Sequence, residues 1–165
     1  MITYIHYGAD HFYPELFMPA RNGSWQAKPF ERSGLWGSRE DDPNGWKAWC
    51  EENKFHLEQF KHFFQFQMID AQILTLESPD QLLDLPKIHP WEPKAPMRLE
   101  TCTLPTMEQL EAWYTPNWCY LDYEKLAEQY DAIELRNHWE FRDAFPTWDC
   151  DCILMLKAER LWELD

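Results

Sequence analysis

Residues 148–156 read Trp-Asp-Cys-Asp-Cys-Ile-Leu-Met-Leu, and their apolar run predicts a strand over Cys150–Leu156 near the end of the chain. At strand spacing Cys150 and Cys152 share one face, which favours buried thiols over redox chemistry. The five cysteines are an odd, scattered set without CxxC pairs. We therefore expect free thiols, with neither a disulfide framework nor a zinc site.

In the chain that precedes this stretch, β-branched and aromatic runs predict further strands, and amphipathic runs predict helices between these strands. The predicted strands are 2–8, 34–38, 63–68, 71–76 and 132–135, and the predicted helices are 41–53, 81–85, 106–114 and 121–129. Five prolines make 86–105 an irregular excursion within the domain. Strands dominate, so the sequence predicts an α+β fold of mainly antiparallel strands with inserted helices.

Length and composition limit the function classes. The 165 residues predict a single domain over 1–165, and hydrophobic residues at 45% with aromatics at 16% predict a packed core rather than disorder. Fifteen Lys and Arg against 29 Asp and Glu give a net charge of −14, which disfavours direct nucleic-acid binding and anionic membrane surfaces. No leader or apolar span is visible, so we expect a soluble cytoplasmic protein.

Recognised catalytic motifs are few. Five glycines include neither GxGxxG nor a P-loop, and the chain has no HExxH and no GxSxG. Three other segments are informative as an ordered set: Tyr4-Ile5-His6-Tyr7-Gly8, Ser33-Gly34-Leu35-Trp36-Gly37-Ser38 and the 148–156 stretch. They bring a strand-borne histidine, a strand-borne aromatic and an acid ahead of an apolar strand into one chain.

This set resembles the ADP-ribosyltransferase fold, in the branch with a His, aromatic and acid constellation that diphtheria-like toxins and poly-ADP-ribose polymerases share. The resemblance implies that His6 binds the adenosine ribose and that Asp151 holds the nicotinamide ribose, as the two catalytic residues. It also implies that Trp36 lines the nicotinamide pocket and that Trp46, on the following helix, stacks on the nicotinamide. Tyr7 and Ser38 would hydrogen-bond the nicotinamide amide or the ribose.

Two residues depart from the family's usual pattern. Asp151 stands where Glu is usual and is one methylene shorter, and Trp36 replaces a Tyr and lacks its hydroxyl. Asp149 and Glu134 therefore remain open alternatives for the acid. In chemical terms a carboxylate favours the positive charge that grows as a glycosidic bond breaks, and flat rings stack on a pyridinium.

The first functional hypothesis is an NAD-consuming mono-ADP-ribosyltransferase that modifies a macromolecular target, with NAD as co-substrate between the strands bearing His6 and Trp36. Cations must then meet the pyrophosphate, and Arg21, Lys28 and Arg39 are the candidates. Arg32 lies in the same basic stretch. The small size suggests a phage or mobile-element protein, while the acceptor and the oligomeric state stay open.

The alternative hypothesis is an acidic, non-catalytic inhibitor of a basic nucleic-acid-binding protein, of the anti-CRISPR or anti-defence kind. It would offer carboxylates where phosphates otherwise lie, and its protein target would be a basic nucleoprotein complex. The acids concerned are clustered in 40–42, in 51–52 and across 108–140. A solvated face explains the same charge runs.

Overall fold

One seven-stranded mixed sheet organises the chain, in a computed structural model that describes residues 1–23, 28–91, 106 and 118–164. The strand order is β4-β5-β6-β2-β1-β3-β7. The strands are β1 (Tyr4–Tyr7), β2 (Leu35–Arg39), β3 (Phe63–Met68), β4 (Ile73–Leu76), β5 (Ala132–Leu135), β6 (Cys152–Met155) and β7 (Leu161–Glu163). All neighbouring pairs are antiparallel except β4 with β5, which are parallel. The predicted α+β class with mainly antiparallel strands is confirmed.

Helices in the described residues are short and lie between strands. They are α1 (Trp46–Asn53), α2 (Tyr123–Leu126) and α3 (His138–Phe141), with 3₁₀ turns at Pro14–Leu16, Leu57–Lys61 and Pro79–Leu82. Among these helices, α1 is the only one of two turns or more, and it follows β2 directly. None of the described helices has the length and apolar character that a membrane span requires.

Both faces of the sheet are covered by apolar side chains. Along β6, Leu154 faces a core with Phe141, Phe145 and Trp148. The alternate residues Ile153 and Met155 face a second core, which contains Tyr4, Phe64 and Phe66. Strand alternation therefore sends neighbouring residues of the central strands into two different cores, and polar residues on these strands must find partners or a cavity.

The sequence predictions agree with the structure on most strands and less well on helices. The helix predicted over 41–53 begins only at Trp46, because Asp41 has a left-handed φ of 56° and the chain turns there. The helix predicted over 121–129 covers only Tyr123–Leu126, and 81–85 overlaps the Pro79–Leu82 turn. β7 and α3 were not predicted. The helix predicted over 106–114 and most of the 86–105 excursion lie outside the described residues.

The sheet opens between two of its central strands. β1 pairs with β2 only through Tyr4 with Arg39 and Ile5 with Ser38. β1 nevertheless stays paired with β3 as far as Tyr7, and β2 stays paired with β6 back to Leu35. The two strands therefore separate beyond Ile5 and Ser38, and the gap falls where Tyr7 would otherwise lie opposite Trp36.

Candidate functional site

A cavity of about 330 Å³ lies where β1 and β2 separate. Its walls come from β1, β2, α1 and the segment ahead of β6. Seven residues that the sequence proposed for a site, some as alternatives, line it: His6, Tyr7, Lys28, Trp36, Ser38, Trp46 and Asp149. The other lining residues are Ile5, Gly37, Gln59, Thr147, Trp148, Cys150 and Cys152. A cavity of this size, with aromatic walls and few polar groups, has the character of a small-molecule site.

His6 spans the gap between the separating strands. Its Nδ1 lies 2.7 Å from the main-chain oxygen of Trp36. A carbonyl oxygen only accepts, so Nδ1 carries the proton and the neutral ring has its lone pair on Nε2. Burial lowers the pKa of His6 below 6.5, although the bond to Trp36 opposes that shift. His6 is therefore a neutral hydrogen-bond acceptor, which suits a sugar hydroxyl.

The two predicted aromatic residues line the cavity but do not stack on each other. The Trp36 ring meets Trp148 edge to face, with centroids 4.8 Å apart. Trp46 stacks on Trp49 at 5.2 Å with an interplanar angle of 10°. Trp49 thus covers one face of Trp46, and a planar ligand has the remaining aromatic surface for contact.

Ser38 connects β2 to α1. Its Oγ accepts a hydrogen bond from the main-chain N–H of Trp46 at 2.9 Å and donates to the main-chain oxygen of Asp151 at 3.3 Å. The hydroxyl thereby satisfies the first N–H of α1, which has no partner within the helix, and holds Trp46 at the cavity wall. The structure gives Ser38 this positioning contact, while its predicted contact with a ligand stays a prediction.

Tyr7 stands at the rim of the cavity and packs edge to face on Phe60 at 4.8 Å. Burial raises the pKa of its hydroxyl, and the charges of Asp41, Glu51 and Glu40 raise it further. The phenol therefore keeps its proton and can donate a hydrogen bond into the cavity.

Asp151, the predicted acid, is buried at 2% exposure and does not line the cavity. Its carboxylate accepts bonds from the main-chain N–H of His138 at 2.8 Å, from that of Asn137 at 3.2 Å and from His138 Nδ1 at 3.0 Å. Arg136 Nη1 lies 3.7 Å from Asp151 Oδ2, the oxygen that accepts from Asn137. These partners fix the start of α3 to the start of β6 and leave Asp151 little free capacity for a ligand.

Asp149 is the alternative acid that the structure brings to the cavity. Its side chain lines the wall and is open to solvent, and none of the described residues donates a hydrogen bond to its carboxylate. Partial burial at the wall raises its pKa, and the charges of Lys28 and His138 oppose that increase. Asp149 therefore has the free carboxylate that Asp151 lacks.

Glu134, the third candidate acid, lies away from the cavity in a closed ion pair with Arg39. The guanidinium contacts both carboxylate oxygens, Nε to Oε1 at 2.7 Å and Nη2 to Oε2 at 2.8 Å, and Tyr4 donates to Oε1 at 3.3 Å. Hydrogen bonding to Glu134 raises the pKa of Arg39 further above its ordinary value. The predicted pyrophosphate cation Arg39 is thus committed to an internal partner.

The remaining cations of the basic stretch separate in the structure. Lys28 lines the cavity, whereas Arg21 and Arg32 are exposed and do not. For Arg21 the structure shows main-chain bonds only, from its N–H to Ser33 Oγ at 3.0 Å and from the Phe30 N–H to its oxygen at 2.8 Å. The predicted contact of Arg21 with a cofactor stays a prediction, and among the described residues Lys28 is the Lys or Arg that lines the cavity.

Sequence reasoning missed several residues of the site. Cys150 and Cys152 line the cavity as thiols, and contact with Cys150 and burial raise the pKa of Cys152. The four described cysteines are free, as predicted, and all four are buried, whereas the sequence predicted burial only for Cys150 and Cys152; Cys102 lies outside the described residues. Gln59 reaches the cavity from a 3₁₀ turn, for which the sequence gives no signal. Within the described ranges, no three His, Cys, Asp or Glu side chains gather as a metal site.

Comparisons with family models, with curated proteins and with solved structures find no match to this chain. A function for the protein must therefore be inferred from the geometry and chemistry of the cavity.

Proposed function

We propose that this protein cleaves the nicotinamide–ribose bond of NAD and transfers ADP-ribose to a macromolecular target. One observation carries the proposal: residues from three separate segments, chosen from the sequence for an NAD site, line one cavity at the separation of β1 and β2. Such convergence supports a common ligand, because packing alone has no need to gather His6, Tyr7, Trp36 and Trp46 around an opening.

In the proposed complex the nicotinamide ring lies against Trp36 and Trp46, and its ribose lies near Asp149. His6 accepts a hydrogen bond from a sugar hydroxyl through Nε2, and Lys28 meets the pyrophosphate as a cation. The cavity of about 330 Å³ suits a flat ring with its sugar, and the rest of the dinucleotide extends toward Lys28.

The chemistry is a substitution at the anomeric carbon of that ribose. The C1′–N bond breaks, both bonding electrons leave with nicotinamide, and its positive charge disappears. Positive charge develops on the ribose, where a fixed carboxylate stabilises it. A nucleophile of the target then forms the new bond to C1′ and releases its proton to water. The products are ADP-ribosylated target, nicotinamide and one proton.

We assign the carboxylate to Asp149 rather than Asp151. The side chain of Asp149 lines the cavity, whereas three N–H groups occupy that of Asp151. Asp149 is exposed at the cavity wall and receives no hydrogen bond from the described residues, so its carboxylate is available to a developing cation.

Release of nicotinamide from NAD tests the proposal. Chromatography should detect nicotinamide with the wild-type protein and a mixture of target proteins, and Asp149→Asn should reduce the rate by about 10²-fold. Asp143→Asn is the matched control, because Asp143 is an exposed acid outside the cavity lining, and it should act like the wild type.

Thermal unfolding supplies an independent measurement of binding. Nicotinamide and NAD should each raise the melting temperature of the wild type, and Trp36→Ala should abolish that increase. No nicotinamide release at millimolar NAD, together with no thermal shift, contradicts the proposal. Release that survives Asp149→Asn but fails in a folded Asp151→Asn variant returns the acid to Asp151.

A second candidate function, binding of a basic protein without catalysis, is supported by the surface beyond Tyr7. A groove of about 440 Å³ adjoins the cavity, and it is lined by the exposed acids Glu40, Asp41 and Glu51. Carboxylates grouped on a concave surface attract Lys- and Arg-rich surfaces and speed their association.

Binding to a mixture of core histones, as a basic protein probe, tests this second function. Binding should weaken as salt increases, and a Glu40→Lys, Asp41→Lys, Glu51→Lys triple variant should lose it. Trp36→Ala should leave it unchanged, because Trp36 does not line the groove. Equal binding by the triple variant contradicts a role for the groove.

A further inference from the structure

Gln59 brings a side-chain amide to the cavity wall from the turn that follows α1. Lys54 and His56 have left-handed φ values of 52° and 45°, and the chain reverses there, so that the 3₁₀ turn Leu57–Lys61 lies against α1. Gln59 lies in the middle of this turn, is half-buried and lines the cavity. Its Nε2 donates a hydrogen bond to Cys50 Sγ at 3.7 Å. The amide is thus attached to the side of α1.

The contact with Cys50 places this amide one helical turn from Trp46. Residues four apart on a helix lie on one face, with their Cβ atoms about 5–6 Å apart, and Trp46 and Cys50 are such a pair on α1. Trp46 and Gln59 also line the same cavity. A planar ring that stacks on Trp46 therefore presents its edge, and any substituent on that edge, near the Gln59 amide.

The polar atom that Gln59 keeps free is an acceptor. Nε2 is bonded to Cys50, whereas none of the described residues donates a hydrogen bond to Oε1. Oε1 is also not one of the fully buried polar atoms that lack a partner, so it is accessible. A carbonyl oxygen of an amide only accepts, and Gln59 therefore favours a ligand substituent that carries an N–H or O–H group.

The charges at the cavity wall disfavour an anionic substituent at the same place. Lys28 is the only Lys or Arg among the described residues that line the cavity, Asp149 adds a carboxylate, and His6 is neutral. The oxygens of a ligand carboxylate would also meet Gln59 Oε1 acceptor against acceptor. An uncharged carboxamide offers N–H donors without a negative charge.

We propose that Gln59 is a specificity-determining residue: its Oε1 accepts a hydrogen bond from the carboxamide N–H of an aromatic ligand, so that the cavity selects the amide over the corresponding ketone or acid. That the aromatic ligand is nicotinamide rests on the proposed function. Trp46 supplies the surface for the ring, and Gln59 distinguishes what the ring carries.

Nicotinamide and 3-acetylpyridine, compared by calorimetry, test this role. In 3-acetylpyridine a methyl group replaces the NH₂ group, while the ring and the carbonyl remain. The wild type should bind nicotinamide about fivefold more tightly, which is the usual contribution of one hydrogen bond. Gln59→Met keeps the length of the side chain without its oxygen and should bind both probes equally. Gln59→Glu keeps an acceptor and should retain the preference.

Gln129→Met is the matched control, because Gln129 is exposed and lies outside the cavity lining, and it should keep the wild-type preference. Equal affinity of the wild type for the two probes, an unchanged preference in Gln59→Met, or tighter binding of nicotinate than of nicotinamide overturns the inference. Where Gln59→Met does not fold, the wild type and Gln59→Glu still decide, since loss of the preference in Gln59→Glu also overturns it.

The binding measurements use no NAD, so they separate this inference from the proposed function. A preference for nicotinamide that depends on Gln59, without release of nicotinamide from NAD, contradicts the proposed function alone. Release of nicotinamide from NAD together with equal affinity for the two probes contradicts the role of Gln59 alone.

Discussion

At one end of the β1–β2 contact the polar side chains are paired with each other, and at the other end they border a cavity. At the paired end, Arg39 and Glu134 form a two-point ion pair that Tyr4 completes, and Glu134 is 3% exposed. At the separated end, His6 crosses the gap with one nitrogen and Trp36 lines a cavity. One end has its polar groups satisfied internally, and the other leaves acceptors and ring surfaces for a ligand.

This difference shows how one strand pair provides both stability and a site. Arg39 of β2 and Tyr4 of β1 both donate to Glu134 of β5, so β1 and β2 are linked through Glu134 where they pair, and they diverge beyond Ile5 and Ser38. Polar residues of the same chemical types are thus structural at one end and available at the other. Burial and partner count distinguish the two roles, whereas residue type does not.

Breaking the paired end should have the largest effect. Arg39→Ala leaves the Glu134 carboxylate buried without its cation, and removal of one partner of a buried pair is strongly destabilising. One third of the Arg39 side chain is exposed, so we expect a loss of about 3 kcal/mol, at the lower end of the range for such pairs. Urea unfolding at pH 7 measures the change.

Arg39→Lys is the matched control for that experiment. It keeps the charge but loses the two-point geometry, so its unfolding free energy should lie between those of the wild type and Arg39→Ala. If Arg39 instead binds a pyrophosphate, Arg39→Ala should weaken NAD binding and leave the unfolding free energy almost unchanged. That result would remove the distinction between the two ends.

Substitutions of His6, at the separated end, should have a smaller effect on stability. They distinguish two roles of the side chain, donation by Nδ1 to the Trp36 oxygen and acceptance of a ligand hydrogen bond by Nε2. His6→Ala removes the donor to the Trp36 oxygen and should cost about 1–2 kcal/mol in urea unfolding. His6→Asn offers an amide donor near the position of Nδ1 and should recover most of that loss. Both variants lack the Nε2 acceptor, so both should lose the thermal shift with NAD. Full NAD response in His6→Asn would contradict the acceptor role.

Much of the fold was predictable because its strands are local patterns. The runs at 63–68 and 132–135 match β3 and β5 residue for residue. β7 was missed because Leu161–Glu163 is three residues long, and the four-residue α3 starts at a left-handed Asn137 with φ of 57°. Parallel pairing of β4 with β5 depends on long-range topology, which a local pattern does not encode.

The candidate site was predictable in its members but not in their roles. The strand-borne His6 and Trp36 reach one cavity because adjacent strands carry them. The sequence could not show which of Asp149 and Asp151 is free to meet a ligand. The difference arises at the turn that begins α3, where two main-chain N–H groups donate hydrogen bonds to the Asp151 carboxylate. Likewise the sequence does not distinguish Arg39 from Lys28 as a cation for a ligand. The difference depends on the ion pair of Arg39 with Glu134, which lies 95 positions further along the chain.

The smallest expected effect is the pH dependence of stability that His6 contributes, and it tests directly whether the ring at the separated end is neutral. Burial lowers the pKa of His6 in the folded protein below its ordinary 6.5, so between these two values the unfolded chain binds more protons than the folded one. Stability should therefore fall as pH drops through 6.5 toward the folded pKa, and His6→Asn should lack this part of the decline. Imidazole NMR should place the His6 midpoint below 6.5, and urea unfolding at pH 7.5 and 5.5 should show the unfolding free energies of wild type and variant converging at the lower pH. A midpoint at or above 6.5 would contradict the lowered pKa, because burial in the gap would then not disfavour the charged ring, which has no Nε2 lone pair to offer a ribose hydroxyl.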